Sequence, residues 1–431
     1  MLDRLTAPAV SGFPRLSLPE FNEKLLPDGI RLRTLDSSEE AVTRLSVLWP
    51  AGLIDSGSPA AYGLTANMLP EGCCGMSGKE VSDILESNGA WLKVFPSQHS
   101  TLLVLHSLNH TAPRVFPLVG KIISAPDFPE EALDTLKKKG AAEKEIASRK
   151  PSFQATMIAR QTLYGPKHPL AKVVTPDDIL SVRREELSRL HSGIMLANKP
   201  VVFLSGKVTP DVESLLTDTV RAIPFDESAT GRINKALYLT PPLSDNKTCR
   251  KDLPESLQTG IRIQIPTIGR SHPDYEALRF AVVALGGYFG SRLMANIRED
   301  KGYTYGIGAS LVPSLEGSNV VISCECDNRY TEAVVEEINR EIAKMAREEM
   351  NVEEIETVRN IIISNLAGIL DSPFSISSYM EQVESFGLSR QAYVTQFSEA
   401  QAMTPGRIRE MVSRYLLDIP SVTALAGGKP D

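Results

Sequence analysis

Apolar positions along this chain alternate between two periods, and the switches mark out its elements. From Leu25 to Asp55 the period is near two: GIRLRTL, a polar SSEE, then AVTRLSVLWPAGLID, which predicts strand, turn and strand. A helix is expected over Ala60 to Leu69. Ser77 with Glu80 three residues later forms a capping-box pattern, Val81, Ile84 and Leu85 supply one apolar helix face, and Gly89 closes it. Strands at Ala90 to Phe95 and Ser100 to Ser107 follow, then helices at Arg114 to Ala125, Pro129 to Ser148, Arg160 to Tyr164 and Pro176 to Ser192. A strand at Lys199 to Ser205 comes last. Paired strands mixed with helices are an α+β pattern rather than strict β-α alternation.

Between Ile223 and Glu255 the periodicity weakens. Gly231, the pair Pro241 and Pro242, Asp245, Asn246 and Pro254 suggest a connection. The earlier order then recurs: a strand at Gly260 to Pro266, a helix at Tyr275 to Leu285, a second helix after Gly287, and strands at Tyr303 to Val312 and Asn319 to Cys326. Helices at Thr331 to Glu349, Val352 to Leu370 and Pro405 to Tyr415 lead to a strand at Ser421 to Ala426. The repeated order predicts two related lobes, each a mostly antiparallel sheet packed with helices. The expected division is an N-terminal lobe over 1–225, a linker over 226–255 and a C-terminal lobe over 256–431.

A chain of 431 residues suits two such lobes, and 42% hydrophobic with 23% charged residues allows sizeable cores. Forty-six basic against fifty-three acidic side chains give a net charge of -7, with no basic stripe, so nucleic acid is not expected as a partner. The N-terminal stretch lacks the basic flank and continuous apolar core of a secretory signal. No apolar run approaches the roughly 18 residues that span a bilayer. The default expectation is a cytoplasmic protein. Five cysteines, an odd number in a long chain, read as reduced and mostly buried thiols rather than a disulfide framework.

Of the six histidines, His106 and His110 are four apart, but in a strand that spacing separates them by about 13 Å, too far to share one metal ion. His168 and His272 each precede a proline and read as turn or helix-start residues. There is no G-x-S-x-G turn for a serine nucleophile. GGYFGSR at Gly286 to Arg292 lacks the Lys-Ser/Thr ending of a phosphate loop, and its glycines are expected to let two helices pack closely. Arg298 and Tyr305 differ in kind. Lys301 and Gly302 form a helix stop, and strand alternation from Tyr303 would put Tyr303, Tyr305 and Ile307 on one face and Thr304, Gly306 and Gly308 on the other. A forked cationic donor beside a phenolic donor suits a peptide carbonyl, or the oxyanion formed when that carbonyl is attacked. On the residues alone the structural reading leads: Arg298 paired with Glu299 or Asp300, Tyr305 packed at an edge.

The stretch HPDYEALRFAVVALGGYFGSRLMANIREDKGYTYGIGAS resembles the insulinase and pitrilysin-like metallopeptidases, the inverzincins, in its glycine pair, Ser-Arg-Leu and Arg-Glu-x-Lys-Gly-x-x-Tyr. YGLTANMLPEGCCGMSGKEVSDILESNGAWLK also fits the family's first lobe. The resemblance implies two lobes forming half of a clamshell chamber. In active members the first-lobe helix carries H-x-x-E-H, two zinc ligands around a general base. With the register set by Met68, Leu69 and Gly72, those positions fall on Gly63, Ala66 and Asn67, none of which can do the work. A later zinc-completing glutamate would fall near Glu145, which by itself reads as a surface helix residue. Arg298 and Tyr305, by contrast, stand at the family's substrate-contacting positions.

The implied function is the non-zinc subunit of a heterodimeric peptidase. It would enclose peptides and supply Arg298 and Tyr305 in trans to a homologous, zinc-bearing partner, holding no cofactor and having no peptidase activity alone. A homodimer in isolation stays open. The rival reading is an inactive peptide-binding or structural scaffold of the same fold. A hydrolase built on Cys73 or Cys74 is disfavoured, because no histidine is placed by sequence to activate either thiol.

Overall fold

The computed structural model describes residues 16–26, 28–226 and 235–428; Gly231 of the expected connection and most of the N-terminal stretch read for a signal lie outside them. The first lobe is built on strands β1 (Asn22–Leu25), β2 (Arg31–Asp36), β3 (Val42–Trp49), β4 (Trp91–Pro96), β5 (Thr101–Leu108) and β6 (Val201–Gly206). They form one sheet in the order β1-β2-β6-β3-β5-β4. The second lobe has β7 (Lys247–Asp252), β8 (Gln258–Thr267), β9 (Thr304–Ser314), β10 (Gly317–Asp327) and β11 (Val422–Gly427), in the order β9-β10-β8-β11-β7.

Apart from the extra edge strand β1, the two orders superimpose. In each lobe the opening strand runs parallel to the closing one, β2 with β6 and β7 with β11. The other neighbours are antiparallel. This is the repeat read from the order of elements, now visible as one pairing scheme used twice. The stretch expected as a connection, 226–255, holds β7. Its sequence KTCRKD is almost wholly exposed at the sheet edge, so it carries none of the apolar alternation that would reveal a strand.

Helix α1 (Pro59–Met68) lies against the first sheet's edge strand, and α2 (Gly78–Ser87) starts at Ser77 with both bonds of the expected capping box. Helices α3 (Glu130–Ser148) and α4 (Pro151–Tyr164) follow, with α4 starting well before the stretch expected to be helical. In the second lobe α5 (Tyr275–Gly286) backs the sheet, and α6 (Pro373–Ser385) lies in a segment that the periodicity left unassigned. Each lobe lends a helix to the other. The first lobe's α4 covers β7, β8 and β11, while the second lobe's α6 covers β2, β3 and β6. A Cβ on Gly260 of β8 would meet the Pro151 backbone at 2.5 Å, so only glycine lets α4 begin there.

Charge is buried where α6 meets the first sheet. Arg44 of β3 and Glu381 of α6 are 4% and 3% exposed and joined by two hydrogen bonds of 2.5 and 2.8 Å. One helical turn on, Glu384 accepts from Arg31 and Arg33 of β2. His99, in the β4–β5 loop, sits beside this contact, its ring 4.5 Å from Phe386 and 6.2 Å from Tyr238. Burial, aided by the nearby Arg270 charge, holds the His99 imidazole down at about 4.

This linkage has a readable sign. The unfolded chain takes up a proton at His99 near its ordinary value of about 6.5, before the folded one does. Stability is therefore undiminished above that pH and falls as pH drops toward 4. His99→Phe is expected to flatten the urea midpoint between pH 6.5 and 4; an unchanged slope in the variant would rule His99 out as its source.

Among the described residues no single helix is long and apolar enough to cross a membrane.

Candidate functional site

The site begins where α5 ends. A Cβ on Gly286 would lie 2.5 Å from the Ala309 nitrogen of β9, and the Cβ position of Gly308 is 3.5 Å from the Gly286 carbonyl. The glycines thus seat a helix end directly on a strand; the expected helix-to-helix packing is not their use. The chain then turns outward through Phe289, which stays 64% exposed, and enters a π-helical turn, Met294–Asp300. Asn296 donates to Glu337 and Glu341, and Lys301 is 2.8 Å from Glu337, so this wide turn is tied to the helix Thr331–Arg347.

Arg298 stands on the last turn of that segment. Its guanidinium carbon is 4.3 Å from the centre of the Phe289 ring and 5.7 Å from that of Tyr305. The sequence expectation of a carboxylate partner is met loosely: Glu299 lies 3.8 Å away, beyond hydrogen-bonding distance. The Phe289 ring holds the guanidinium by a cation–π contact, which uses none of its N–H groups as hydrogen-bond donors to a carboxylate.

Tyr305 owes its position to a β-bulge. Thr304 pairs with Cys326 and Gly306 with the adjacent Glu325, so Tyr305 has no residue opposite it. The Thr304 hydroxyl pins the bulge, donating to the Glu325 carbonyl at 2.6 Å and accepting from the Gly306 amide at 3.1 Å. The bulge breaks the alternation expected from the sequence. Ile307 and Ala309 are buried beneath α5, whereas Tyr305 is 91% exposed and does not share a face with Ile307. Tyr303 leans the other way and stacks on Tyr330 at 4.6 Å. The structure therefore brings Arg298, Tyr305 and Phe289 together at the surface end of β9. Phe289 was not anticipated; its signal was an aromatic residue between glycines, just before the Arg-bearing segment.

The first-lobe positions lie on α1. Gly63 is half-buried and faces Leu53, Ala66 is fully buried, and Asn67 is exposed. Glu145 on α3 is exposed and bonded to Arg149 at 2.6 Å. Zinc is held by imidazole, thiolate or carboxylate donors converging at about 2.0–2.3 Å, and a glycine, a buried methyl and an amide on α1 do not provide that set. Among the described residues no three His, Cys, Asp or Glu side chains are grouped to hold a metal. His106 faces Trp91 and Phe374, while His168 and His272 accept backbone N–H bonds from Leu170 and Asp274 in turns. Cys73, Cys324 and Cys326 are buried, Cys249 is half-buried and Cys74 exposed; burial pushes the Cys73 thiol up to about 11, away from nucleophilic use.

Comparison with known proteins gives a consistent result. Residues 181–362 match the family described as "Peptidase M16 inactive domain". The chain is 23% identical over 248 residues to a non-peptidase homolog, YmxG, of Helicobacter pylori, a match covering 57% of this chain and 56% of that protein. The chain thus spans little more than half the length of that relative. In three dimensions it is similar to the peptidase M16 inactive domain from Pseudomonas fluorescens, with a TM-score of 0.85 at 21% identity over 95% of this chain and 98% of that one. It is also similar to the periplasmic protease PqqL of Escherichia coli, with a TM-score of 0.79 at 15% identity over 99% of this chain but only 48% of that one.

Proposed function

We propose that this chain, whose residues 181–362 match the inactive domain of the M16 peptidases, the insulinase and pitrilysin-like family, is the non-zinc subunit of a heterodimeric metallopeptidase. The match to the M16 inactive domain and the similarity to a non-peptidase homolog support a non-catalytic M16-like protein. The observation that supports a role in trans is the bulge-raised Tyr305 beside an Arg298 whose guanidinium has no hydrogen-bonded carboxylate among the described residues.

In this reading the two lobes form one wall of a chamber for peptides. The Tyr305 hydroxyl and the Arg298 guanidinium donate to the carbonyl oxygen of the bond to be cut, and these bonds strengthen as negative charge develops there. Phe289 holds the guanidinium beside Tyr305 by a cation–π contact. The water-activating zinc would have to be held by a partner, since Gly63, Ala66 and Asn67 on α1 offer no zinc-ligand chemistry.

The test is zinc analysis and a peptidase assay on the chain alone and after addition of a zinc-bearing homologue. The lone chain is expected to bind no stoichiometric zinc and cleave nothing, and the mixture to cleave peptides. Tight zinc and turnover in the lone chain would overturn the proposal. Full activity of the homologue without this chain would favour a scaffold instead.

A further inference from the structure

A second candidate site lies away from the Arg298 and Tyr305 pair, in a cavity of about 340 Å³ beside α5. Its other walls are the helices Val352–Ile369 and Gln391–Ala402, α6, and the end of β9 at Leu311 and Pro313. Three charged side chains line it. Glu276 and Arg279 of α5 neutralise each other across 2.6 Å. Arg270, in the loop between β8 and α5, has its guanidinium carbon 4.6 Å from the centre of the Phe386 ring, but it makes no ion pair and no hydrogen bond among the described residues. The cavity thus holds one positive charge without a counter-ion. That charge is felt as far as His99, whose imidazole it helps to keep neutral.

The helix Gln391–Ala402 carries an independent observation. Gln396 lines the cavity and is only 7% exposed, yet its side-chain amide makes no hydrogen bond among the described residues. Neither its oxygen nor its nitrogen is sealed within the core, in contrast to the Tyr379 hydroxyl of the same cavity, which is enclosed and out of a ligand's reach. A largely buried amide without a protein partner is satisfied when a bound molecule supplies one. Leu311, Ile362 and Leu366 add apolar surface.

We propose that this cavity binds a small organic carboxylate with a short aliphatic body. Arg270 pairs with the carboxylate and the Gln396 amide donates to it, while the aliphatic chain lies against Leu311, Ile362 and Leu366. A monovalent head matches the single uncompensated charge, whereas a phosphate dianion would leave a negative charge buried without a partner. The volume is at the small end of the range for ligand pockets, which limits the body to a short chain. The inference concerns binding by this chain alone and does not depend on the peptidase reading.

The experiment is an NMR titration of the full chain at neutral pH with hexanoate, hexanamide and acetate. Hexanoate is expected to bind. Hexanamide has the same shape without the charge, and acetate has the same head without the chain. Each is expected to bind at least about tenfold more weakly than hexanoate. Arg270→Gln should weaken hexanoate binding at least about tenfold, through loss of the charge-assisted pair. Because that change also removes the contact with Phe386, Gln396→Leu serves as a second variant. It is close in size, breaks no hydrogen bond made among the described residues, and should weaken hexanoate binding about tenfold through loss of one bond to a charged group. Absence of hexanoate binding, equal binding of hexanoate and either control, or unaltered binding by the folded Gln396→Leu variant would each overturn the proposal.

Discussion

Tyr305→Phe should lower the turnover of the proposed heterodimeric peptidase by about 100 to 1,000-fold, the usual effect of removing one oxyanion donor. The substitution is clean because the hydroxyl is the only thing lost. The bulge that raises residue 305 is pinned by the Thr304 hydroxyl, and the ring that flanks Arg298 remains. Folding and assembly should therefore be unchanged, as thermal unfolding and size-exclusion chromatography would check. An interaction made chiefly in the transition state reduces kcat and kcat/KM together. A rise in KM at constant kcat would instead make Tyr305 a simple peptide contact, and equal activity with and without the hydroxyl would end its proposed role. Because the phenol is 91% exposed, its donor strength is diluted by water in the lone chain. The full effect is expected only once a partner closes over it.

Much of the lobe architecture could be read from local signals, since those elements are stabilised locally. The Ser77 and Glu80 capping box, the helix Tyr275–Gly286 and the strands around Ile261 to Ile265 each announce themselves within a few residues. What was hidden depends on distant partners. The bulge at Tyr305 is a matter of register between β9 and β10, and nothing in TYGIG states that Thr304 rather than Tyr305 pairs with Cys326. Helix α6, PFSISSYMEQVES, buries Ser377 and Glu381 among its apolar residues, so its amphipathic pattern is blurred. The partner that makes Glu381 tolerable is Arg44, 337 residues earlier. Gly63, Ala66 and Asn67 could be seen to lack zinc-ligand chemistry, but their register came from resemblance, and only the structure places Ala66 wholly inside the core.

That distant pair gives the largest stability effect expected in the molecule. Glu381→Leu should destabilise the chain by about 3–5 kcal/mol, because it leaves the Arg44 guanidinium buried without a counter-charge. Ser377, which donates to Glu381, loses its partner as well. The Arg31 and Arg33 bonds to Glu384 cannot compensate, because they are made to a different carboxylate and supply no counter-charge to Arg44. The double variant Arg44→Met with Glu381→Leu replaces both charges by apolar groups and should recover most of the loss, as replaced buried ion pairs often do. Urea unfolding of the wild type, both single variants and the double variant completes the cycle. A strongly favourable coupling would show that α6 is held on the first sheet chiefly by mutual neutralisation of two buried charges. A Glu381→Leu effect below about 1 kcal/mol, well short of the range for a broken buried pair, would show instead that apolar packing of α6 alone joins the lobes. The wall that presents Arg298 and Tyr305 would then owe its rigidity to the α4 side of the exchange.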